Sequence, residues 1–572
     1  MDYNITKLIA RGKKVLLALT TTIMFTNCTQ NRETEVTNFL NGIQDSLQVL
    51  RTRSALAQWN GSITGKDEDF EEGNLADFEM TKYLSNKEVF TKLKEYKVLA
   101  DNGEIKDEVL KRQLQLIYNN FLANQADTAL LNKIITKVTE ITKIYGSYRA
   151  EYKGKKLNDN EVEEILKTST YSKMLQNVWE SHKMIGELVE KDLIELVKLR
   201  NQLAQSLGFK NFHSMQLKLV GGLDADEVTA LLDQLDSTTA KSFAELKDTM
   251  DMAFAKRYNV KKEELMPWHY QGRYFQEAPE LYPVELDKYY KGKNLEELTT
   301  EFYKSIGLDI TKIMANSSLY PQEGKNQHAF CTDIDGNGDV RILCNITDNE
   351  QWMGTMLHEF GHGVYALGHD TTSNPYVIRD AASPFTTEAI AMLFGRLSRN
   401  AAWMQKSLGI SNDEKEAIAE NCFKSSRLQQ IVFSRWVQVV YRFELSMYDN
   451  PDQDLNALWW NLVEKYQLLK KPEGRNAPDY ASKIHIALYP CYYQYYQMGE
   501  MFASQLHNYI VNNITHTENT MDECYVGNKE IGKWLNEKVF KPGMLYEWND
   551  LIEKATGERL TAKYYASQFN LY

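Results

Sequence analysis

Residues 347–368 read TDNEQWMGTMLHEFGHGVYALG, and within them His358-Glu359-Phe360-Gly361-His362 decides how the rest of the chain is read. Thr347-Asp348-Asn349-Glu350 has the form of a capping box, which starts a helix, and Gly368 is a stop signal. On that helix His358 and His362 are four residues apart and share a face. Two imidazoles so placed reach one tetrahedral zinc ion. Glu359 directly follows the first of them, near enough to take a proton from a water that the metal activates. The plain alternative is a polar helix face with two solvated histidines. Met353, Met356, Leu357, Phe360 and Val364 argue against it, because they bury the helix and buried imidazoles need partners.

A catalytic zinc needs a third protein ligand. His369 is nearest, but HExxHxxGxxH enzymes place that histidine six residues after the second, with glycine at the third place. Here those positions are Gly368 and Tyr365. Asp370 follows too closely to fold back. Glu388 opens a helical stretch, TTEAIAMLFGRL, after Ser383-Pro384. A first-turn glutamate on a rigid helix suits a metal better than a loop aspartate, which favours Glu388 and leaves Asp380 as the alternative.

Outward from this core the chain reads as helix. Apolar residues recur at three-to-four spacing through 160–208, ending at Gly208, and again through the segment that follows Ala402. Proline is scarce, with 11 in 572 residues, and no low-complexity linker or repeat interrupts the pattern. The expectation is one mainly α body over 29–572. Strand signal concentrates at 328–332 and 340–346, bracketing the turn DIDGNGD. That turn mimics a calcium loop, but its twelfth position is Cys344 instead of glutamate, so a hairpin is the better reading. Cys331 and Cys344 flank the turn and either pair as a disulfide or stay as two buried thiols. No CxxC pair exists, so a cysteine zinc site is not expected.

A net charge of −12 gives no basic footprint for nucleic acid or an anionic membrane. The start of the chain is different. Lys7, Arg11, Lys13 and Lys14 precede the apolar run VLLALTTTIMF, and Cys28 follows. This has the form of an export signal over residues 1–28, and Cys28 resembles a bacterial lipoprotein processing site. The expectation is an exported protein of a bacterium, periplasmic or tethered to the membrane through a lipid on Cys28. A cleaved signal with an incidental cysteine is the alternative.

A second constellation lies at 483–496, KIHIALYPCYYQYY. Read alone it is a buried tyrosine belt with one lysine and one histidine. Tyrosine and histidine can also stabilise the oxyanion of peptide hydrolysis, and lysine can bind a carboxylate.

Taken together, HEFGH, His328-Ala329, RDAASPFTTEA at 379–389 and Lys-x-His with tyrosines seven and ten residues on resemble the angiotensin-converting-enzyme family of zinc peptidyl-dipeptidases. Weaker similarity runs from ALAQWNGSITG at 55–65 to KPGMLYEWNDLIEKATGE at 541–558. The resemblance implies a two-halved helical body with a deep central channel and a small sheet beside the HExxH helix. It implies Zn2+ on His358, His362 and Glu388, with Glu359 as base and later acid. It implies oxyanion donors at His485 and Tyr495, and a substrate-carboxylate site at Lys483 and Tyr492 with Tyr270 near it. His328 and Ala329 resemble the edge that pairs with the backbone of an oligopeptide substrate. Gln494, Met392 and Gln327 depart from the family, which has an arginine, an acidic residue and a cysteine there. The implied activity is release of dipeptides from peptide C-termini. The alternatives are an oligoendopeptidase of the thimet-oligopeptidase type and a non-catalytic peptide-binding lipoprotein.

Overall fold

Short polar side chains set where the helices begin. Asn86, Asp107, Asn294 and Ser411 each accept a backbone N–H from the first turn of the helix that follows them, satisfying donors that have no partner inside the helix. The computed structural model describes residues 3–518 and 520–569, without the side chains of 3–31 and 521. The side chains of the expected leader, Cys28 among them, lie outside that description.

The chain forms two compact units. The first takes residues 1–125, 334–337 and 371–380. Helix Tyr3–Thr64 packs on Asp67–Leu84 across the turn at Gly65, whose φ of 65° suits a residue without Cβ. Helix Lys87–Asp101 packs on Glu108–Ala123. Leu40, Leu47, Leu93, Leu114, Ile117 and Phe121 are buried there. Gln44 Nε2 donates to Gln113 Oε1 at 3.0 Å, and Gln44 Oε1 accepts from the Val377 N–H at 3.2 Å. A buried amide is thus paired at both ends, which its burial requires.

The second unit is built around helices Asn412–Asp449, Tyr493–Ile510, Glu350–Leu367 and Pro384–Gly395. The mainly α expectation holds. The periodic stretch at 160–208 is three helices, Asp159–Thr168, Ser172–Lys183 and Ile185–Ser206, and the last ends just before Gly208, at a φ of 90°. The helix with HEFGH starts at Glu350, two residues later than a Thr347 cap would place it, because its cap is Asn349, whose Oδ1 accepts from Trp352 N at 2.9 Å.

Two hairpins complete this unit. β1 (Ala150–Tyr152) and β2 (Lys155–Leu157) pair around Lys153-Gly154; their alternation is too short and too charged to register as strand in the sequence. β3 (Phe330–Asp333) and β4 (Val340–Leu343) form the expected hairpin and pack on the helix with HEFGH. The register sets Cys331 opposite Ile342, so Cys344 lies beyond its partner position. Both are free thiols, and the disulfide alternative falls. Among the described residues, no helix is long and apolar enough to cross a membrane.

Candidate metal centre and active site

Three helices converge because two of their contact residues are glycine. A Cβ on Gly361 would stand 2.8 Å from Ala391 Cα, so its absence lets the HEFGH helix lie against Pro384–Gly395. A Cβ on Gly499 would stand 3.3 Å from Glu388 Cγ, which brings Tyr493–Ile510 against the same helix. Ser383 and Pro384 start that helix, with proline at a position where its missing N–H costs nothing. Glu388 then projects from the first turns.

The result is one cluster of donors. Glu388 Oε1 is 3.6 Å from His358 Nε2, and Glu388 Oε2 is 3.5 Å from His362 Nε2. Ligand atoms held about 2.0–2.1 Å from one tetrahedral ion stand about 3.3 Å apart. The three residues therefore fit zinc in spacing and in donor chemistry, and among the described residues they are the one such group. His369 packs its ring 5.5 Å from Tyr365 and is outside it, as are Asp370 and Asp380. His362 Nδ1 lies 2.9 Å from Thr387 Oγ1. An imidazole that offers Nε2 to a metal carries its proton on Nδ1, so it donates to Thr387, which fixes tautomer and ring plane.

Electrostatics suit the same assignment. Burial pushes the His358 imidazole down to about 4, so it is neutral and able to ligate at pH 7. Burial pushes Glu388 up, but the His362 hydrogen bond and the His358 charge outweigh it and hold the carboxyl below its ordinary value. Glu359 is buried, and burial raises it to about 7; the Cys331 N–H of β3 is among the groups that temper the rise. A carboxyl that titrates near neutrality can take and return a proton. The small sheet thus reaches Glu359. His328 and Ala329 sit just before β3, with His328 exposed and its N–H donating to Asn326 Oδ1 at 3.0 Å.

Lys483 is buried, and its Nζ donates to Gln276 Oε1 at 2.7 Å. Burial brings this amine down to about 8. The rings of Tyr274 and Tyr493 stand 4.9 and 5.7 Å from Nζ. Tyr270, expected near this lysine, is committed elsewhere. Its hydroxyl donates to Asp251 Oδ1 and accepts from Lys247 Nζ, both at 2.7 Å. Gln276 takes the place, and no periodicity in the irregular segment around it marks it in the sequence.

The tyrosines divide by direction. Tyr495 is buried against Gly221, where a Cβ would come within 2.5 Å of its hydroxyl, and that hydroxyl has no hydrogen-bond partner among the described residues. Tyr492 and Tyr496, one turn apart with rings at 5.2 Å, are raised by burial and by the Glu388 charge. His485 packs against Tyr489 and Tyr493 with its Nδ1 buried and unpaired among the described residues, and burial brings it down to about 4.

A helical protein with an HExxH pair, a glutamate third ligand from a neighbouring helix and a buried glutamate beside them is a metalloprotein of the two-histidine, one-glutamate class. The profile of the angiotensin-converting-enzyme family matches residues 30–569, and the chain belongs to that family. It is 26% identical to an angiotensin-converting enzyme of Theromyzon tessulatum over 286 residues, 48% of this chain and 46% of the relative. It is 21% identical to the angiotensin-converting enzyme-like protein Ace3 of Mus musculus over 429 residues, 70% of this chain and 57% of the relative. To the Sus scrofa angiotensin-converting enzyme it is 25% identical over 269 residues, 45% and 20% of the two chains. The chain thus spans about half or less of the length of most of these relatives.

Proposed function

We propose that the chain is a zinc peptidase that releases dipeptides from the C-termini of oligopeptides. The observation that carries this is the convergence of His358, His362 and Glu388 with Glu359 buried beside them. Zinc held by these three ligands would supply Lewis acidity, activating a water and polarising the scissile carbonyl. Glu359 takes the proton of the attacking water and returns it to the leaving amine. Lys483 receives the substrate's terminal carboxylate, and Gln276, whose Oε1 is taken by Lys483, has its amide N–H groups left to donate to it. The Tyr495 hydroxyl is packed against Gly221, and this supports its neighbour Tyr496 as the hydroxyl that holds the developing oxyanion. His485, neutral at pH 7, is the companion donor.

Mass spectrometry of products from a peptide mixture, with and without chelator, tests the reading. Dipeptides that vanish on chelation are expected; C-terminal amidation should remove most turnover. Internal fragments from amidated peptides would instead indicate an endopeptidase. Glu359→Gln should abolish turnover while the metal stays bound, and normal activity in that variant would sink the assignment.

Export with a lipid on Cys28 belongs to the same proposal. Four basic residues ahead of VLLALTTTIMF, and Cys28 after it, support it. A Cys28→Ala variant should move from the membrane to the soluble fraction; an unchanged distribution refutes the anchor.

A further inference from the structure

The second unit holds a cavity of about 1190 Å³ that reaches the metal ligand His358 and is walled in part by residues 277–285. Apart from Glu277 and Glu285, which accepts from the Lys288 N–H at 3.3 Å, the charge on its wall is compensated. Lys167 pairs with Glu280, Arg396 with Glu500, and Arg399 with Glu350. Glu277 is different. It is exposed to the cavity and makes no hydrogen bond or ion pair among the described residues. Its neighbour in the chain is Gln276, the acceptor for buried Lys483, and its charge acts on the Lys483 ammonium.

The segment that presents this carboxylate is fixed on both sides. Phe275 stands at a φ of 52°, a left-handed conformation that a side chain disfavours. Buried Gln467 holds it there, with Nε2 donating to the Tyr274 and Phe275 carbonyls at 3.1 and 2.9 Å. Beyond Glu277, the Ala278 N–H donates to Gln429 Oε1 at 2.7 Å. An unpaired carboxylate is thereby held on a rigid support, one residue from the Gln276 that accepts from Lys483, in the wall of a cavity that reaches His358.

We infer that Glu277 selects peptides whose C-terminal residue carries a cationic side chain, lysine or arginine. The inference rests on the peptidase reading above and deepens it. The terminal carboxylate of such a residue meets Lys483 and Gln276, and its ammonium or guanidinium meets Glu277, so both charges of the residue find an opposite partner. A C-terminal glutamate would set two carboxylates against each other, and like charges in such a place discriminate against a partner as strongly as attraction selects one.

The test is kcat/KM for three peptides identical except for a C-terminal lysine, methionine or glutamate. Wild type is expected to favour lysine over methionine roughly five- to tenfold, the scale of one partly exposed charge pair, and to disfavour glutamate. The preference should shrink as salt rises. Glu277→Gln should bring lysine and methionine within about twofold, and Glu277→Lys should turn the preference toward glutamate. Dipeptide release from all three peptides at equal kcat/KM overturns the inference, as does a lysine preference that survives in Glu277→Gln. If no peptide yields a dipeptide, the peptidase reading itself has failed, and the inference with it.

Discussion

A buried phenol without a hydrogen-bond partner costs about 1–3 kcal/mol, and Tyr495 carries one against Gly221. Tyr495→Phe should therefore raise the unfolding free energy by about 1 kcal/mol and change kcat less than tenfold. Tyr496→Phe should cost about 10²–10³ in kcat, the usual loss of one oxyanion donor. Denaturant melts and steady-state kinetics on both variants read the difference, and the reverse pattern would restore Tyr495 to the catalytic place. A second residue prediction concerns Glu444. Burial raises it to about 8, with the Cys491 N–H and the Arg200 charge pulling the other way. Its folded value lies above its unfolded one, so its contribution is fully present below about pH 4.5 and is lost as pH rises through 8. Wild-type Tm should fall between pH 5 and 8 more steeply than that of Glu444→Gln, which keeps an acceptor for Cys491; parallel curves would refute the account.

Between helices, close approach is what the site depends on. Gly361→Ala drives a methyl to 2.8 Å from the Ala391 backbone, whereas Gly499→Ala meets Glu388 atoms at 3.3–3.4 Å that can give way. The first should destabilise by about 1–3 kcal/mol and weaken zinc binding; the second should do less of both. Zinc titration with thermal melts ranks the two, and equal effects would count against helix spacing as the cause. Removing the Thr387 hydroxyl with Thr387→Val should weaken zinc about 10–100-fold through His362. This scale also explains what the sequence made legible. HEFGH and Glu388 lie on strongly periodic helices, where spacing alone fixes the face. Gln276 and Glu277 lie in irregular backbone pinned by Gln467 and Gln429, residues some 150–190 positions away in the chain, and no local pattern reports that. Tyr495 and Tyr496 differ by one residue, a 100° turn that a spacing rule measured from His485 does not resolve.

For the molecule as a whole, all three zinc ligands fall in the second unit. Zinc at one hundred times its Kd should stabilise the folded chain by about 2.7 kcal/mol, and chelation should remove that amount from the melt. A Tm indifferent to chelator would mean that the site holds no metal tightly. The five described cysteines are all free thiols, four of them buried and Cys331 partly so. Among the described residues the fold therefore leans on no covalent cross-link, and the stability they supply is independent of the redox poise around it. Refolding should reach the same end state with or without a reducing agent, so that oxidants act on this protein, if at all, as damage to a thiol and not as a step in its maturation.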